Sequence, residues 1–445
     1  MTLMSENQLP AVKVGLLGLG TVGGGVIKVL RRNAREISRR AGRDIQIVCA
    51  AARDISKSRD CDLSSIRLTT DPFAVVNDPE VEVILELIGG EDLARQLVLT
   101  AIENGKHVVT ANKALIALHG NDIFSAAHEK GVDIAFEAAV AGGIPIIKAI
   151  REGLSGNRIE SIAGIINGTG NFILTQMQAA GRDFAEVLAE AQALGYAEAD
   201  PTFDVDGIDA AHKLTILASI AFGMPLSFAD ISTQGISTVS ADDVTYAGEL
   251  GYRIKHLGIA KRRDNGVELR VQPTLIHKKA LLANIDGVMN AVMVVGDAVG
   301  PTTYCGAGAG AEATASAVIA DLVDVVRLLT ADPEHKVPHL GFQADAINQL
   351  NVLPISEVVC GHYLHLLLAD ESGVLAKVTG ELAELDINIE AIIQKEPLTD
   401  GADVPVIILT DPVRESSMVA ALARIEQLPF VRAGTTRLRV EHVGV

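Results

Sequence analysis

The sequence predicts an α/β protein built in three parts. In the first part, short apolar strands alternate with helical stretches, which is the pattern of a doubly wound parallel sheet. The middle part mixes helices with β-rich segments and predicts an α+β domain. The last part has the order βαββαβ, which predicts a small ferredoxin-like domain. A chain of 445 residues is long enough for two or three domains, each with its own core.

The composition of this chain disfavours two classes of partner, nucleic acids and membranes. The formal net charge of −18 disfavours nucleic acid and anionic membranes, because both select clustered Lys and Arg. The one basic concentration, Arg31–Arg43, has the pattern of a solvated helix face. The uncharged run Ser161–Gly181 is rich in Asn, Thr, Gln and Gly, so it is a poor membrane span. We therefore expect neither a nucleic-acid nor a membrane partner.

Two features predict the cellular compartment. The first ten residues lack the basic and apolar regions of a secretory signal. The four cysteines have neither metal-ligand nor disulfide spacing: Cys49, Cys61, Cys305 and Cys360. Both features predict a cytoplasmic protein.

The first strand, Ala11–Gly18, runs through a glycine-rich turn into a helix. The turn is formed by Gly18, Leu19, Gly20, Thr21, Val22 and Gly23. Gly18 allows the tight turn, Gly20 lets the backbone approach a pyrophosphate, and Gly23 permits close helix–strand packing. The N–H groups at the helix start favour a bound phosphate. A GxGxxG turn between a strand and a helix predicts a Rossmann-type nucleotide-binding domain.

The next strand, Ile45–Ala51, ends near residues that select the cofactor. An acidic residue there, such as Asp54, would bind a ribose hydroxyl and select NAD. Arg53 and Lys57 would instead pair with a 2′-phosphate, which favours NADP. NADP is the prediction, and Asp54 keeps NAD open.

Strand and helix patterns continue through Val81–Ile88, Leu93–Asn104 and His107–Thr110. Gly89 follows the first of these strands and Lys113 follows the last. Ligands of a doubly wound sheet bind beyond the carboxyl ends of its strands. Gly89 at this edge is therefore a cofactor-site candidate, whereas a lysine after a strand, such as Lys113, is usually a solvated charge.

The stretch Ala191–Lys213 concentrates acidic side chains around one lysine. Glu198, Asp204 and Asp209 lie in a turn that leads into an apolar helix. Asp209 and Lys213 are four residues apart and share a helix face. Such a cluster can bind an amino acid or move a proton. The alternative is a helix cap with a weak surface ion pair.

This stretch resembles the homoserine dehydrogenase family. The matching positions are Ala191, Gly195, Tyr196, Asp200, Pro201, Asp204, Gly207, Asp209 and Lys213. The resemblance, which extends from about residue 11 to the C-terminus, implies reversible NAD(P)-dependent interconversion of L-homoserine and L-aspartate 4-semialdehyde. This reaction belongs to threonine, methionine and isoleucine biosynthesis. It also implies that Lys213 is the acid/base residue, that Glu198 holds the substrate amino group, and that Asp204 and Asp209 complete the substrate cradle.

The same resemblance implies a monovalent cation, sodium, in the bend Phe136–Pro145. Its ligands would be mostly backbone groups of Glu137, Val140, Gly142 and Ile144. Carbonyls in a glycine-rich bend suit a hard cation, although a simple hinge loop is the alternative. The resemblance also implies that Lys113 lies beside the nicotinamide, which makes it a cofactor-site candidate. It further implies that the glycine loop after Cys305, with Gly308, returns to the nicotinamide.

Further features of the middle part leave alternatives open. Asn167, Thr169 and Asn171 match a family motif and line the pocket by resemblance, or are turn formers. Three β-rich segments predict an open sheet for substrate and dimer contacts: Arg158–Ile166, Val267–Leu275 and Ala291–Gly296. Cys305 has a nucleophile as its alternative role, as in the phosphorylating aspartate-semialdehyde dehydrogenases, but no histidine lies near it in the sequence.

The C-terminal block begins after a linker that contains Pro354. Its strand, Tyr363–Ala369, precedes an Asp370–Gly373 turn and the helix Val374–Leu385. The whole block resembles an ACT domain, although Ser372 stands where many ACT loops carry proline. The resemblance implies threonine as the effector. A purely stabilising role is the alternative.

The predicted domains are a nucleotide-binding domain over residues 1–137, a substrate-binding, catalytic and dimerisation domain over 138–350, and an ACT regulatory domain over 356–445. The helix predicted over 312–329 is expected to pack back on the first domain. We expect a homodimer or a homotetramer. Another Rossmann reductase of a small amino-acid carbonyl, or a catalytically silent nucleotide sensor, is the alternative function. The two lysines, Lys113 and Lys213, argue against a silent sensor.

Overall fold

The computed structural model describes residues 9–330, 336–395, 403–432 and 434–443. It divides into two compact units. The first unit consists of Met1–Ile159, His212–Ala229 and Gly296–Gln349. The second unit consists of Glu160–Ala211, Asp230–Val295 and Leu350–Val445.

Strands and helices alternate along much of the chain. The strands are β1 (Val12–Leu17), β2 (Ile45–Ala51), β3 (Arg67–Thr69), β4 (Val83–Glu86), β5 (His107–Thr110), β6 (Ile134–Ala135), β7 (Ile159–Ile165), β8 (Ser232–Thr233), β9 (Tyr252–Arg263), β10 (Gly266–His277), β11 (Met289–Gly296), β12 (Gly300–Ala307), β13 (Val359–Leu368), β14 (Ile389–Gln394), β15 (Val404–Thr410), β16 (Val413–Arg414) and β17 (Thr436–Glu441). The α-helices are α1 (Thr21–Arg32), α2 (Ala34–Ala41), α3 (Pro72–Val76), α4 (Asp92–Glu103), α5 (Lys113–Lys130), α6 (Ile146–Lys148), α7 (Gly168–Ala180), α8 (Phe184–Ala193), α9 (Thr202–Val205), α10 (Ile208–Phe222), α11 (Ala241–Glu249), α12 (Ala311–Leu328), α13 (Val374–Ala383) and α14 (Glu415–Ile425).

The first unit contains a parallel six-stranded sheet in the order β3-β2-β1-β4-β5-β6. The order reverses direction at β1, which is the arrangement of a doubly wound nucleotide-binding fold. Helices α1, α2 and α12 cover one face, where Val14, Val26 and Val318 share a buried core. The α/β fold predicted for this part of the chain is confirmed.

The second unit contains a mixed sheet whose strands follow the order β11-β7-β9-β10-β17-β13-β15-β14. Strands β9 and β10 form a long antiparallel hairpin, in which Tyr252 pairs with His277. The final strand β17 runs parallel to β10 on one side and antiparallel to β13 on the other. The C-terminal strands therefore continue the sheet of the middle part of the chain.

The C-terminal module has the predicted βαββαβ order and the strand arrangement β17-β13-β15-β14, which is ferredoxin-like. Alternate residues of β13 face two different cores, as the two-residue period of a strand requires. Tyr363 packs with residues of α7 and α11, whereas Leu364 packs against α13 and α14. The module is thus covered on both faces of its sheet. No helix in the described parts of the chain is both long and apolar enough to cross a membrane.

Candidate functional site

The glycine turn joins β1 to α1 at the carboxyl edge of the parallel sheet. Gly18 has a φ of 101°, and a Cβ atom there would lie 2.6 Å from the carbonyl oxygen of Leu87. A Cβ atom on Gly23 would lie 2.1 Å from the carbonyl oxygen of Gly18. By contrast, a Cβ atom on Gly20 would meet no atom of the described structure within 4 Å. The first and third glycines therefore serve packing, while Gly20 leaves open space at the helix start.

The first turn of α1 carries the remaining residues of this motif. Thr21 begins the helix and is exposed, Val22 is half-buried, and Leu19 is buried. No side chain caps the N-terminus of α1 among the described residues. Its first N–H groups are therefore available to an anion, as the sequence predicted.

Three loops meet at this edge because of the strand register. Leu17 pairs with Glu86 on β4, and Glu86 pairs with Thr110 on β5. The loops that follow β1, β4 and β5 consequently start side by side. Gly89, singled out from the sequence, lies in the loop after β4. Lys113, also singled out, lies where the loop after β5 ends and α5 begins.

Glu86 fixes the shape of the loop after β4. Its buried carboxylate accepts the N–H of Ile88 at 3.0 Å, the N–H of Gly89 at 3.3 Å and the hydroxyl of Thr110 at 2.6 Å. Burial raises the pKa of Glu86, and these hydrogen bonds oppose the rise. No sequence pattern indicates this role, since Glu86 stands within an apolar strand.

Asn112 connects the loops after β4 and β5. Its Oδ1 accepts the N–H of Leu115 at 3.1 Å and caps α5, while its Nδ2 donates to the carbonyl of Gly90 at 2.6 Å. Lys113 is the first residue of α5 and is half-buried. The cap therefore fixes the backbone from which the Lys113 side chain extends.

The loop after β2 places two basic residues in solvent. Arg53 and Lys57 are exposed, and neither side chain has an ion-pair partner among the described residues. The Oδ1 atom of Asp54 accepts the N–H and the hydroxyl of Ser56 at 2.8 and 2.6 Å. These hydrogen bonds lower the pKa of Asp54. Asp54 thus shapes its own turn, whereas Arg53 and Lys57 remain free to meet an anion.

Arg59 braces this loop against the glycine turn, a role that was not predicted from the sequence. Its Nε donates to the carbonyl of Leu19 at 3.0 Å, and its Nη2 donates to the carbonyl of Asp54 at 2.6 Å. One guanidinium thereby ties together the two loops that would surround a nucleotide. An arginine in the loop after a strand has no sequence signal that would single it out.

In the second unit, Asn167 brings together two of the predicted substrate carboxylates. Its Nδ2 donates to Oδ1 of Asp204 at 2.7 Å and to Oδ2 of Asp209 at 2.8 Å. Its Oδ1 accepts the N–H of Gly170 at 2.7 Å and caps α7. Asn167 and Asp209 are buried and Asp204 is half-buried. One amide therefore holds two carboxylates at fixed positions.

The other two residues of the predicted cradle have different settings. Glu198 is exposed, and within the described structure its carboxylate accepts no hydrogen bond from another side chain. The carbonyl of Glu198 accepts the Nε2 amide of Gln192 at 3.0 Å. Lys213 is half-buried in α10, four residues after Asp209 in the same helix. The spacing that placed Asp209 and Lys213 on one helix is confirmed.

Asn171 and Thr169 bind backbone groups. The Nδ2 atom of Asn171 donates to the carbonyls of Ile285, Gly287 and Met289 at 3.0 to 3.2 Å. The hydroxyl of Thr169 donates to the carbonyl of Tyr196 at 2.7 Å. Both side chains anchor α7 to neighbouring loops through these bonds.

The bend proposed for the cation has unusual backbone geometry. Ala141 has a φ of 53° and Gly142 a φ of 41°, and a left-handed conformation is costly for alanine. Val140 and Ile144 are buried. No donor in the described structure reaches the carbonyl of Val140 or of Gly142. The carbonyls of Val140 and Gly142, which flank the strained Ala141, are therefore groups that suit a hard cation.

The carboxylate of Glu137 is occupied by backbone hydrogen bonds within this bend. Its two carboxylate oxygens accept the N–H groups of Ile147 and Lys148, each at 2.8 Å. Its own N–H donates to the buried Asp321 at 2.7 Å. The carboxylate of Glu137 therefore holds the start of α6, while its carbonyl accepts the N–H of Val140 at 3.4 Å and has a second lone pair for a cation.

The segment with Gly308 lies against the same bend. The carbonyl of Ala307 accepts the N–H of Gly143 at 2.9 Å, and a Cβ atom on Gly142 would lie 2.7 Å from the carbonyl oxygen of Gly308. The predicted glycine loop is shorter than expected, because β12 extends through Ala307. Cys305 is an exposed residue of that strand.

Comparisons with known proteins match every part of this architecture. Three family models match the chain. They are "Homoserine dehydrogenase, NAD binding domain" over residues 18–137, "Homoserine dehydrogenase" over 145–323 and "ACT domain" over 362–430. A homoserine dehydrogenase of Pseudomonas aeruginosa is 61% identical over 433 residues, which cover 97% of this chain and 99% of that protein. The chain belongs to the homoserine dehydrogenase family.

Solved homoserine dehydrogenases have the same fold. The crystal structure from Thiobacillus denitrificans is 59% identical and superposes with a TM-score of 0.94, covering 98% of this chain and all of that one. A Staphylococcus aureus homoserine dehydrogenase is 33% identical, with a TM-score of 0.76 over 98% of this chain and all of that one. The predicted homoserine dehydrogenase family, oxidoreductase class, nicotinamide cofactor and ACT domain are confirmed.

Proposed function

We propose that this homoserine dehydrogenase reversibly interconverts L-aspartate 4-semialdehyde and L-homoserine in threonine, methionine and isoleucine biosynthesis. The observation that carries this proposal is the pair of carboxylates held by Asn167, of which Asp209 lies four residues before Lys213 in α10. Asp204 and Asp209 would form the anionic floor of a site for the substrate ammonium. Glu198, exposed and without a side-chain partner in the described structure, would be the group that receives this ammonium.

Lys213 moves the proton of the reaction. The bound nicotinamide supplies or accepts the hydride at the substrate carbon. In reduction, Lys213 donates a proton to the aldehyde oxygen, so that the C=O bond becomes the C–OH of homoserine. In oxidation, Lys213 accepts that proton as hydride leaves the same carbon. Lys113, at the capped start of α5, would contribute to the cofactor side of the site.

The experiment that tests this function measures nicotinamide reduction with L-homoserine and each oxidised cofactor. We expect turnover with at least one cofactor. Glu198→Ala should then chiefly raise the homoserine KM, because it removes the partner of the substrate ammonium. No turnover under any condition would contradict the proposal.

The cofactor is NADP in this proposal, with NAD as the alternative. Arg53 and Lys57 are exposed cations without ion-pair partners in the described structure, and they follow the strand end that lies beside a bound ribose in this fold. Asp54, the residue that would select NAD, already uses Oδ1 in its own turn. The charge of this loop therefore supports a 2′-phosphate.

The cation is sodium in this proposal, bound by the bend that contains Ala141. The carbonyls of Glu137, Val140, Gly142 and Ile144 are its candidate ligands, in keeping with the strained φ angles of the bend. Of these, the carbonyl of Ile144 also accepts the N–H of Ile146 at 2.8 Å, and that of Glu137 accepts the N–H of Val140 at 3.4 Å. Activity compared in sodium, potassium and tetramethylammonium salts tests the requirement, and equal rates in all three would contradict it.

Threonine is the proposed inhibitor, with the Asp370–Gly373 turn as its site. This turn starts α13, and among the described residues no side chain caps that helix. The helix start therefore suits the carboxylate of an amino acid. Threonine must bind an inactive arrangement better than the active one. The alternative is that the module only stabilises a homodimer or homotetramer.

A point substitution tests the effector site better than truncation. Removing the chain after Leu353 would strip β17 from β10 and expose the apolar residues of α7 and α11 that pack with Tyr363. Ser372→Trp fills the turn and leaves the sheet intact. We expect threonine inhibition to be lost while uninhibited turnover is kept. Unchanged inhibition would place the effector elsewhere.

We also propose the domain limits 1–137, 138–350 and 356–445.

A further inference from the structure

A cavity in the second unit is lined by none of the residues of the Asp370–Gly373 turn. Its volume is about 470 Å³, which suits a small ligand. The walls come from the segment after β8, the linker before β13, the start of α14 and strand β17. The side chains that line it include those of Gln234, Glu415, Ser416, Val419, Arg437 and Arg439.

Two arginines and one carboxylate set the charge of this cavity. Buried Arg439 donates to Glu415 through Nε at 2.9 Å and through Nη2 at 2.7 Å. Arg437 donates to Glu415 through Nη1 at 2.6 Å, and its Nε and Nη2 have no partner in the described structure. His362, 3.9 Å from the same carboxylate, has a pKa lowered to about 4 by burial and is therefore neutral at neutral pH. One positive charge remains uncompensated at the cavity wall.

The same chemistry argues against a metal ion. Cys360, His362 and Glu415 place ligand atoms within 4.8 Å of one another. Both oxygens of Glu415 are, however, occupied by arginine donors. Burial also raises the pKa of the Cys360 thiol to about 12, so the metal-binding thiolate is disfavoured. The cavity is suited to an anion.

We propose that this cavity is an effector site for a small anion with a carboxylate or a phosphate group. Arg437 would pair with the anion through its free nitrogens. The hydroxyl of Ser416, which has no hydrogen-bond partner in the described structure, lies at the start of α14 and would supply a further donor. The 24% exposure of the Arg437 side chain leaves it accessible without a large rearrangement.

Gln234 connects this cavity to the substrate carboxylates. Its Oε1 accepts Nη1 of Arg439 at 3.0 Å, and its carbonyl lies 3.0 Å from Nε2 of His256. His256 packs against Gly207, where a Cβ atom would lie 3.0 Å from its Cε1. Gly207 stands between Asp204 and Asp209 in the chain. An anion bound beside Arg437 and Arg439 therefore acts, through Gln234 and His256, on the turn that carries both carboxylates, and this part of the inference rests on the proposed function.

Calorimetric titration of the full-length protein, saturated with NADP⁺, tests the site directly. The probes are inorganic phosphate and malonate, which separate phosphate from carboxylate recognition. At least one probe should bind. Arg437→Met should lower the affinity of that probe about tenfold or more, because the variant loses a charge-assisted hydrogen bond. Val419→Trp, which fills the cavity without touching its charges, should have the same effect. Arg424→Met, on the exposed side of α14, is the matched control and should bind normally.

Three results would overturn this inference. Absence of binding of both probes at roughly 10 mM, or equal affinity in Arg437→Met, Val419→Trp and Arg424→Met, would remove the site. Normal binding with an unchanged homoserine KM would remove the effector role. These outcomes differ from failure of the proposed function, which would appear as a lack of homoserine turnover without any anion.

Discussion

Replacing Asn167 with aspartate should disrupt the carboxylate pair while keeping the shape of the side chain. The amide Nδ2 lies 2.7 Å from an oxygen of Asp204 and 2.8 Å from an oxygen of Asp209, so these two oxygens lie within about 5.5 Å of each other. At that separation, two unit charges repel by roughly 3 kcal/mol if the effective dielectric constant is about 20. The amide offsets this repulsion with two charge-assisted hydrogen bonds.

Asn167→Asp exchanges that donor for a third carboxylate. Asn167→Asp removes both charge-assisted hydrogen bonds, and loss of even one costs about 1.5–3 kcal/mol, so kcat/KM for homoserine should fall at least about tenfold to hundredfold. The remaining Oδ1 can still cap Gly170, so the helix start should persist. Because protonation of the introduced carboxylate restores one donor, the deficit relative to the original protein should shrink as pH falls.

The assay is kcat/KM for homoserine oxidation across pH, together with thermal unfolding. Asn284→Asp is the matched control, since it also removes two Nδ2 bonds, at 2.9 Å to the carbonyls of Lys278 and Ala280, at an exposed site. The control should keep normal kcat/KM. If Asn167→Asp stayed within about twofold of the original protein at every pH, the amide would not position the carboxylates for the reaction.

Three further perturbations have defined outcomes. Lys213→Ala should lower kcat by roughly 10²–10⁴-fold while NADPH still binds by fluorescence titration, and near-normal kcat would exclude its proton-transfer role. Arg53→Ala should raise the KM for NADP about tenfold while leaving that for NAD nearly unchanged, and equal losses would show that Arg53 contacts a shared part of the cofactor. Burial beside Glu137 raises the pKa of Asp321 to about 8, so its contribution to stability is greatest below pH 4 and is lost as pH rises through 8. Asp321→Asn should flatten this part of the urea-unfolding profile, and an unaltered pH dependence would contradict the assignment.

The apolar strands of the first unit could be predicted closely from the sequence. Strand β2 at Ile45–Ala51 and strand β5 at His107–Thr110 begin and end where they were expected, because their residues are apolar or β-branched and turns flank them. Strand β4 is shorter than the predicted Val81–Ile88, since Glu86 ends the pairing by turning its carboxylate to the following loop.

Strand β9 escaped prediction because polar residues interrupt its pattern. Lys255 is buried, and its ammonium donates to the carbonyl of Ile285 at 2.6 Å and to Asp286 at 3.0 Å. His256 is buried beside Gln234. These partners compensate for the buried polar groups, but they are distant in sequence. Local hydrophobic periodicity therefore carries no sign of them.

In the candidate site, features that depend on residues close in sequence could likewise be predicted, and features that depend on distant residues could not. The spacing of Asp209 and Lys213 follows from one helix, so the sequence alone places them in it. The bridging role of Asn167 requires two carboxylates that are 37 and 42 residues away. The parallel pairing of β10 with β17 depends on still more distant segments, so the continuity of the C-terminal sheet could not be predicted.

The most direct test of the proposed chemistry is the reaction of L-homoserine with oxidised nicotinamide cofactor, followed by absorbance and by identification of the aldehyde product. The original protein should reduce the cofactor and form L-aspartate 4-semialdehyde in equal amounts, whereas Lys213→Ala should form neither at a comparable rate. Cofactor reduction that continued unchanged in Lys213→Ala, or homoserine left unoxidised by the original protein with both NAD⁺ and NADP⁺, would contradict it.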